Sequence, residues 1–465
     1  MKKNIIELAD DIPLRYEQIF HSHNKSSGGL STLMGAAVNS ARPRINVRSE
    51  HEEVLRDIAL NVIAPMQVSY VLWILRRVEE LKINRLYFLS RDGQLLFRIA
   101  RQLIKAFKVD CDLRYFLGSR QTLNRVTGYK SYGSWLWLNV TEQTTIQNLL
   151  NRIGMNPVQI KNELEGADFK EDSWYQPIGD KQFKLKKLIQ TESIRSLIKS
   201  NSEQQKEILL RYLKQEKLDQ DLNIGCVDIG WKGSCHASLS TLLRDYFDKS
   251  IHGFHFGLTK GYNTWDSVRE GYFFDLAKKT GYRNLTPMGW RSGDRMFVLL
   301  ETFCSADHGT VYDLMDKGEF IEPLLRDGWA QTITDWGYPV IKNSIDVFTE
   351  YITERLDTVD ISADMRAPVA EILTKFWCDP IESEARVWGS FPLEVGQGQE
   401  SHLSSMAKPY KWNYPLKLIL PNIANPIMNH HWRDGSLRLS SRYMRILMQI
   451  LFSLHDRNKF KKRHD

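Results

Sequence analysis

Cysteine is scarce and scattered in this chain. Cys111, Cys226, Cys235, Cys304 and Cys378 are odd in number, and no CxxC occurs. That pattern argues against a disulfide framework and against a structural zinc site. No apolar run is expected to reach the roughly 18 to 20 residues of a membrane span. The opening MKKNIIELADDIPLRY has two lysines and early acids, but no apolar stretch of signal-peptide length. A cytoplasmic protein is therefore expected. There is no repeat of fixed period and no low-complexity tract. Charge bias is small: 63 Lys and Arg face 56 Asp and Glu, leaving +7. That balance fits an anionic substrate, a membrane surface or simply a solvated basic face. No nucleic-acid partner is expected.

What is present is ordinary for a globular protein: 465 residues, 42% hydrophobic and 26% charged. Such a length allows two domains or one elaborated domain. Residues 1–49 read as an N-terminal arm, with 22–48, rich in Ser, Gly and Asn, as loop. From 50 to 82 the apolar spacing is helical, and Pro65 marks a break between two helices. Leu86–Leu89 reads as a short strand, and Leu95, Leu96, Ile99 and Leu103 as the helix after it. A second strand lies within 111–120. A polar helical insertion spans about 139–220. Strand, turn and helix recur over 222–247, and another strand follows at 251–259. From about 326 to 465 the chain is mainly helical, with a basic tail. Strands alternating with helices predict an α/β fold, a Rossmann-like parallel sheet with helical cover, plus helical additions at both ends.

In such sheets ligands bind at the carboxyl ends of the strands. Three polar turns are predicted there. They are Ser90-Arg91-Asp92-Gly93, Gly118-Ser119-Arg120-Gln121-Thr122, and Asp228-Ile229-Gly230-Trp231-Lys232-Gly233-Ser234. Helix N-terminal amides at such turns attract anions, and Gly93 and Gly233 would let backbone approach a ligand. Each turn also has a plainer reading. Asp92 could cap the helix after it; Arg91 and Arg120 could pair with surface acids. Asp228 is harder to dismiss, because an acid closing an apolar strand needs a partner or a metal. GWKGS lacks the Walker A spacing.

The motifs YFLSRDGQLL, RYFLGSRQTL, VDIGWKGSCHASL and LETFCSADHGTVYDL, in this order, resemble a domain of bacterial capsule and O-antigen loci. Such domains are labelled distant haloacid-dehalogenase (HAD) relatives. The resemblance covers roughly residues 50–325, and the third motif is the most specific. It implies a HAD-like catalytic domain over 50–325. It also implies a phosphoribosyltransferase that moves a 5-phosphoribosyl group from phosphoribosyl pyrophosphate (PRPP) to a sugar hydroxyl. A separate phosphatase would then remove the 5-phosphate. Two departures stand out. A HAD phosphatase needs a D-x-D whose first Asp is the nucleophile, and no DxD followed by Gly-Thr occurs. The DCD at 110–112 precedes its strand. The T-G-x-T loop of purine-salvage phosphoribosyltransferases is absent too.

Such a transfer needs cations for diphosphate, a carboxylate base and phosphate anchors. Arg91, Arg120 and Lys232 can supply the cations. Ser90, Ser119, Ser234 and the amides around Gly93 and Gly233 can hold phosphate. Asp92 and Asp228 are the carboxylates, one as base and the other as an Mg²⁺ ligand. Glu301 and His308 lie in a fourth cluster; His308 could touch acceptor or phosphate, or be a satisfied loop histidine. Trp231, Trp265 and Trp290 could stack on a sugar, though core packing is the commoner use.

The expected partners are PRPP or another phosphorylated sugar donor, and a glycan or lipid-linked glycan acceptor. The C-terminal SSRYMRILMQILFSLHDRNKFKKRHD reads either as an interfacial helix with a basic end or as a docked helix with a solvated tail. The first reading would put the protein at the inner face of the membrane. Two other functions compete: a HAD-type phosphatase acting on a phosphosugar, and a non-catalytic binding domain of the same pathway.

Overall fold

The computed structural model describes residues 12–107, 109–127, 136–137, 140, 144–259, 268–281, 296–395, 402–412, 414–415 and 431–461. Trp265, Trp290 and the basic tail beyond 461 lie outside these residues. Five strands run parallel: β1 (Arg85–Leu89), β2 (Asp112–Phe116), β3 (Ile224–Trp231), β4 (Ile251–Leu258) and β5 (Arg269–Asp275). A short β6 (Thr280–Gly281) pairs antiparallel with β5, and the order is β2-β1-β3-β4-β5-β6. The structure is 59% helical. The expected α/β class, a parallel sheet with many helices, is therefore observed.

Helices α1 (Ile12–Ser22) and α2 (Leu30–Ala41) precede a long rod. The rod comprises α3 (Glu50–Ile58), a π turn (Ala59–Ile63) and α4 (Ala64–Leu81). Helix α5 (Gly93–Leu103) follows β1, and α6 (Arg120–Thr127) follows β2. Helix α7 (Glu192–Gln215) closes the stretch between β2 and β3, and α8 (Ser234–Phe247) follows β3. Helix α9 (Met296–Phe303) leads to the hairpin of β7 (Val311–Asp316) and β8 (Ile321–Leu325). The C-terminal part holds α10 (Trp329–Trp336), α11 (Tyr338–Thr353), the pair β9 (Pro392–Val395) and β10 (His402–Ser405), and α12 (Arg442–Lys461).

Side chains alternate across β1. Leu86 and Phe88 join the core beneath the rod, while Tyr87 and Leu89 join the core beneath α7 and α8. Both faces are covered, which is why β1 reads as an unbroken apolar run. Between β2 and β3, a third core forms around Leu149, Leu150, Trp174 and Leu185.

Two expectations need correction. Residues 22–48 are not loop over their length. Leu30, Met34, Ala37 and Val38 of α2 are buried, and α2 packs on α11. Gly35, one of the residues that read as loop, instead faces Phe20 of α1, with 3.1 Å available to a Cβ. Pro65 marks the boundary between two helices, as expected: it sits in the first turn of α4, where its missing N–H is harmless. The irregularity is the π turn before it. Finally, one helical segment, Glu50–Leu81, is long and apolar enough to cross a membrane. Within it, 94% of the apolar window is buried. The middle of the rod is apolar all round because it is packed on nearly all sides.

Helix α5 starts against β1. A Cβ on Gly93 would lie 2.9 Å from the Phe88 carbonyl carbon and 3.0 Å from the Phe88 Cβ. Gly93 thus serves helix–strand packing, not the ligand approach expected for it. Gly93→Ala should lower the urea midpoint, since overpacking costs about 1–3 kcal/mol. That outweighs a helix-propensity gain of roughly 1 kcal/mol. A midpoint equal to wild type would show that this close approach is not needed.

Candidate active site

β1 pairs with β3 only as far as Phe88↔Val227. Asp228 is the next residue, so it has lost its β1 neighbour while β4 still holds it through Asp228↔His255. The strand does not close at Val227, as expected, but runs on to Trp231 because β4 continues to pair with it through Leu258. Between β1 and β3 the strand order reverses, which is where open α/β sheets bind ligands. Tyr70 of α4 donates its hydroxyl hydrogen to the Asp228 carbonyl at 3.0 Å, fixing the backbone there.

A crevice of about 250 Å³ opens at this point. Asp92, Asp228 and Glu301 line it, with Arg91, Arg120 and Ser234. Ser90 and Ser119 are also in its wall. Eight of the twelve candidate site residues therefore meet. Four do not line it. Gly93 is packed on Phe88, as above. Lys232 is exposed; the extra length of β3 carries it past the crevice, and its carbonyl accepts from the Arg269 guanidinium at 3.2 Å. Gly233 has φ +66°, a left-handed turn that starts α8. A Cβ there would meet Arg269 and His255, away from the crevice. His308 accepts from the Tyr115 hydroxyl at 2.6 Å and donates from Nδ1 to the Gly309 carbonyl at 2.9 Å. It is the satisfied loop histidine, and burial lowers its pKa, favouring the neutral ring.

The carboxylates are unusual. Asp92 stands at the N-cap of α5 but makes no capping hydrogen bond, which removes its plainer reading. Burial, then the negative charges of Asp228 and Glu301, push its pKa well above the ordinary value; Arg91 and Arg120 oppose this. Burial pushes Asp228 up to about 6, against the Gly230 amide and the Arg120 charge. Glu301 is exposed on the crevice wall. Desolvation raises its pKa, and the Trp231 hydrogen bond and both arginines oppose it. That bond, Trp231 Nε1 to Glu301 Oε1, is 2.9 Å. Trp231 packs on Phe297 and Phe274, so it orients Glu301 rather than presenting a stacking face. Because the charges of Asp228 and Glu301 act on Asp92, its titration is coupled to theirs.

The remaining groups organise this cluster. Arg120 donates from Nε to Ser234 Oγ at 3.1 Å, tying α6 to the start of α8. Ser90 Oγ donates to the Gly118 carbonyl at 2.8 Å. Ser119 and Thr122 exchange reciprocal backbone-to-side-chain bonds at 3.1 and 3.2 Å, which start α6. Ser119 is thus a cap more than a phosphate anchor. Ser90 occupies the position two residues before Asp92, where a D-x-D would place its nucleophile. The DCD is at the other end of the sheet, where Asp112 pairs with Arg85 and Arg114.

Some lining residues were not legible in the sequence. Glu394 of β9 ion-pairs with Arg91 at 2.7 Å and also with Arg326. The Arg91 guanidinium lies 4.9 Å over the Trp329 ring. Cys235 lines the crevice, but burial and Asp228 push its thiol up to about 12, so it is no thiolate nucleophile. A larger cavity, about 320 Å³, lies between α4, β5 and residues 361–366. Its acids are satisfied differently. Burial works to raise Glu270, yet bonds from His252 and Arg77 outweigh it and hold Glu270 at about 2. The smaller crevice is therefore where proton chemistry near neutral pH is possible.

Among the described residues no three His, Cys, Asp or Glu side chains form a metal cluster. Asp92 and Asp228 are hard oxygen donors of the kind Mg²⁺ takes, and among the described residues Asp92 makes no capping hydrogen bond. Two carboxylates with phosphate and water oxygens would complete such a site. No protein-family model matches the chain, and no curated protein is significantly similar to it.

A pH test follows from Asp228. Its raised pKa means that the neutral form favours the fold. That contribution is present below the ordinary value of about 4 and is lost as pH rises through about 6. Asp228→Asn is neutral throughout. Its urea midpoint relative to wild type should rise between pH 4 and pH 8. A difference that does not change with pH would mean that Asp228 titrates normally.

Proposed function

We propose that this crevice transfers a 5-phosphoribosyl group from PRPP to a sugar hydroxyl in bacterial surface-polysaccharide assembly, on a divergent HAD-like frame. The observation that carries the reading is the cluster of three carboxylates with raised pKa values facing two guanidinium groups at the switch point. Ionised Asp228 takes the acceptor hydroxyl proton as that oxygen bonds to the ribose anomeric carbon. The bond from that carbon to pyrophosphate breaks at the same centre, and the electron pair leaves with the diphosphate. Arg91 and Arg120 meet the charge of the leaving group. Mg²⁺ held by Asp92, together with phosphate oxygens, would neutralise further diphosphate charge. Glu301, aimed by Trp231, borders the same space and suits sugar hydroxyls.

The HAD phosphatase reading is weaker because Ser90 stands in the nucleophile position and its hydroxyl is committed to Gly118. A non-catalytic role is weaker because three crowded acids oppose folding and an inert domain has no use for them. The proposal takes a glycan or lipid-linked glycan as acceptor, a separate phosphatase as the next step, and the cytoplasm as the compartment.

The test is pyrophosphate release from PRPP with a glycan acceptor. Asp228→Asn should lower turnover by about 10² to 10⁴, the usual worth of a general base. Wild-type turnover should fall as pH drops below about 6, where Asp228 becomes protonated. Near-normal turnover in a folded Asp228→Asn variant would overturn the assignment of the base.

A further inference from the structure

We propose that the outer face of α12 docks on an anionic lipid bilayer. This inference is independent of the transfer reaction and stands on another part of the molecule. The helix runs from Arg442 to Lys461. Its inner face is fully used: Met444, Met448 and Phe452 are buried against Tyr410, Tyr414 and Leu437. Its outer face is apolar as well. Tyr443 is 79% exposed, Ile446 49%, Ile450 54% and Leu454 53%. These residues follow one another at spacings of three, four and four, so they form one stripe along the helix. Scattered exposed apolar residues need no explanation, but a continuous stripe of large ones marks an interaction surface.

The charge around the stripe selects the occupant. From 442 to 465 the chain has Arg442, Arg445, Arg457, Lys459, Lys461, Lys462 and Arg463, against only Asp456 and Asp465. The same helical spacing that generates the stripe reaches Arg457 and Lys461 in the sequence. An apolar stripe on a helix in so basic a segment is suited to an acyl and headgroup boundary of negative charge. A protein partner or a second copy would bury the stripe without needing this excess of positive charge. Docking by α12 would hold the crevice near a membrane, where a lipid-linked acceptor resides.

Sedimentation of the full chain with vesicles tests this. Wild type should pellet with phosphatidylglycerol-containing vesicles and bind pure phosphatidylcholine at least about tenfold more weakly. Ile446→Glu with Ile450→Glu should weaken binding to the anionic vesicles by at least about tenfold. Tyr443→Glu, at the most exposed position, should weaken it in the same direction. All these residues are exposed, so the melting midpoint should stay at the wild-type value. Absence of wild-type binding to anionic vesicles overturns the proposal, as does equal binding by the variants. A wild-type dimer that the two glutamates dissociate also overturns it, because a second copy would then occupy the stripe.

Discussion

Carboxylates drawn away from bulk water are costly to ionise, and in this fold the desolvation of Asp92, Asp228 and Glu301 sets the demand that the groups around them meet. Each acid is raised mainly by burial, and the neighbouring acids add to that at Asp92. Lowering the local dielectric strengthens the repulsion along with every attraction. The crevice answers with Arg91 and Arg120, with the Trp231 bond to Glu301, and with the backbone amides after Asp228. None of these brings the three acids down to ordinary values. Charge is left ready to change within the crevice, which suits proton transfer at neutral pH and the binding of a cation with a polyanion.

The C-terminal region is part of this balance. Arg91 is gripped between Glu394 and Trp329, both of which come from beyond the sheet. One layer out, Asp307 accepts from Gln94 of α5 and from Lys342 of α11, each at 2.6 Å. Arg98 of α5 pairs with Asp346 of α11. These partly buried links fix α5, and hence the turn that carries Arg91 and Asp92, against the helices that follow the sheet. The sheet supplies the acids, and the C-terminal helices hold one of their counter-charges.

Local pattern made β1, α5, β3 and α8 legible, because apolar runs and helical spacing report burial directly. Asp228 stood out for the same reason, as an acid where an apolar run ends. What was not legible depends on partners distant in sequence. Lys232 was misplaced because β3 is lengthened by pairing with β4, through contacts such as Gly230↔Gly257. Gly93 reads the same whether it faces a ligand or Phe88. Glu394 sits in an unexceptional acidic segment, and only tertiary structure brings it to Arg91. In α2 the small residues that signal loop are small because Phe20 lies against Gly35, with only 3.1 Å available to a Cβ.

The most direct measurement on this account is a ¹³C NMR titration of the aspartate carboxyls in wild type and in Asp228→Asn. Asp228 should titrate near 6 and Asp92 well above the ordinary range. Loss of the Asp228 charge should then bring the Asp92 transition down, because that charge is one of the causes that raise it. Two aspartates titrating independently at about 4, the value of an unperturbed carboxyl, would contradict the coupled cluster on which the proposed chemistry rests.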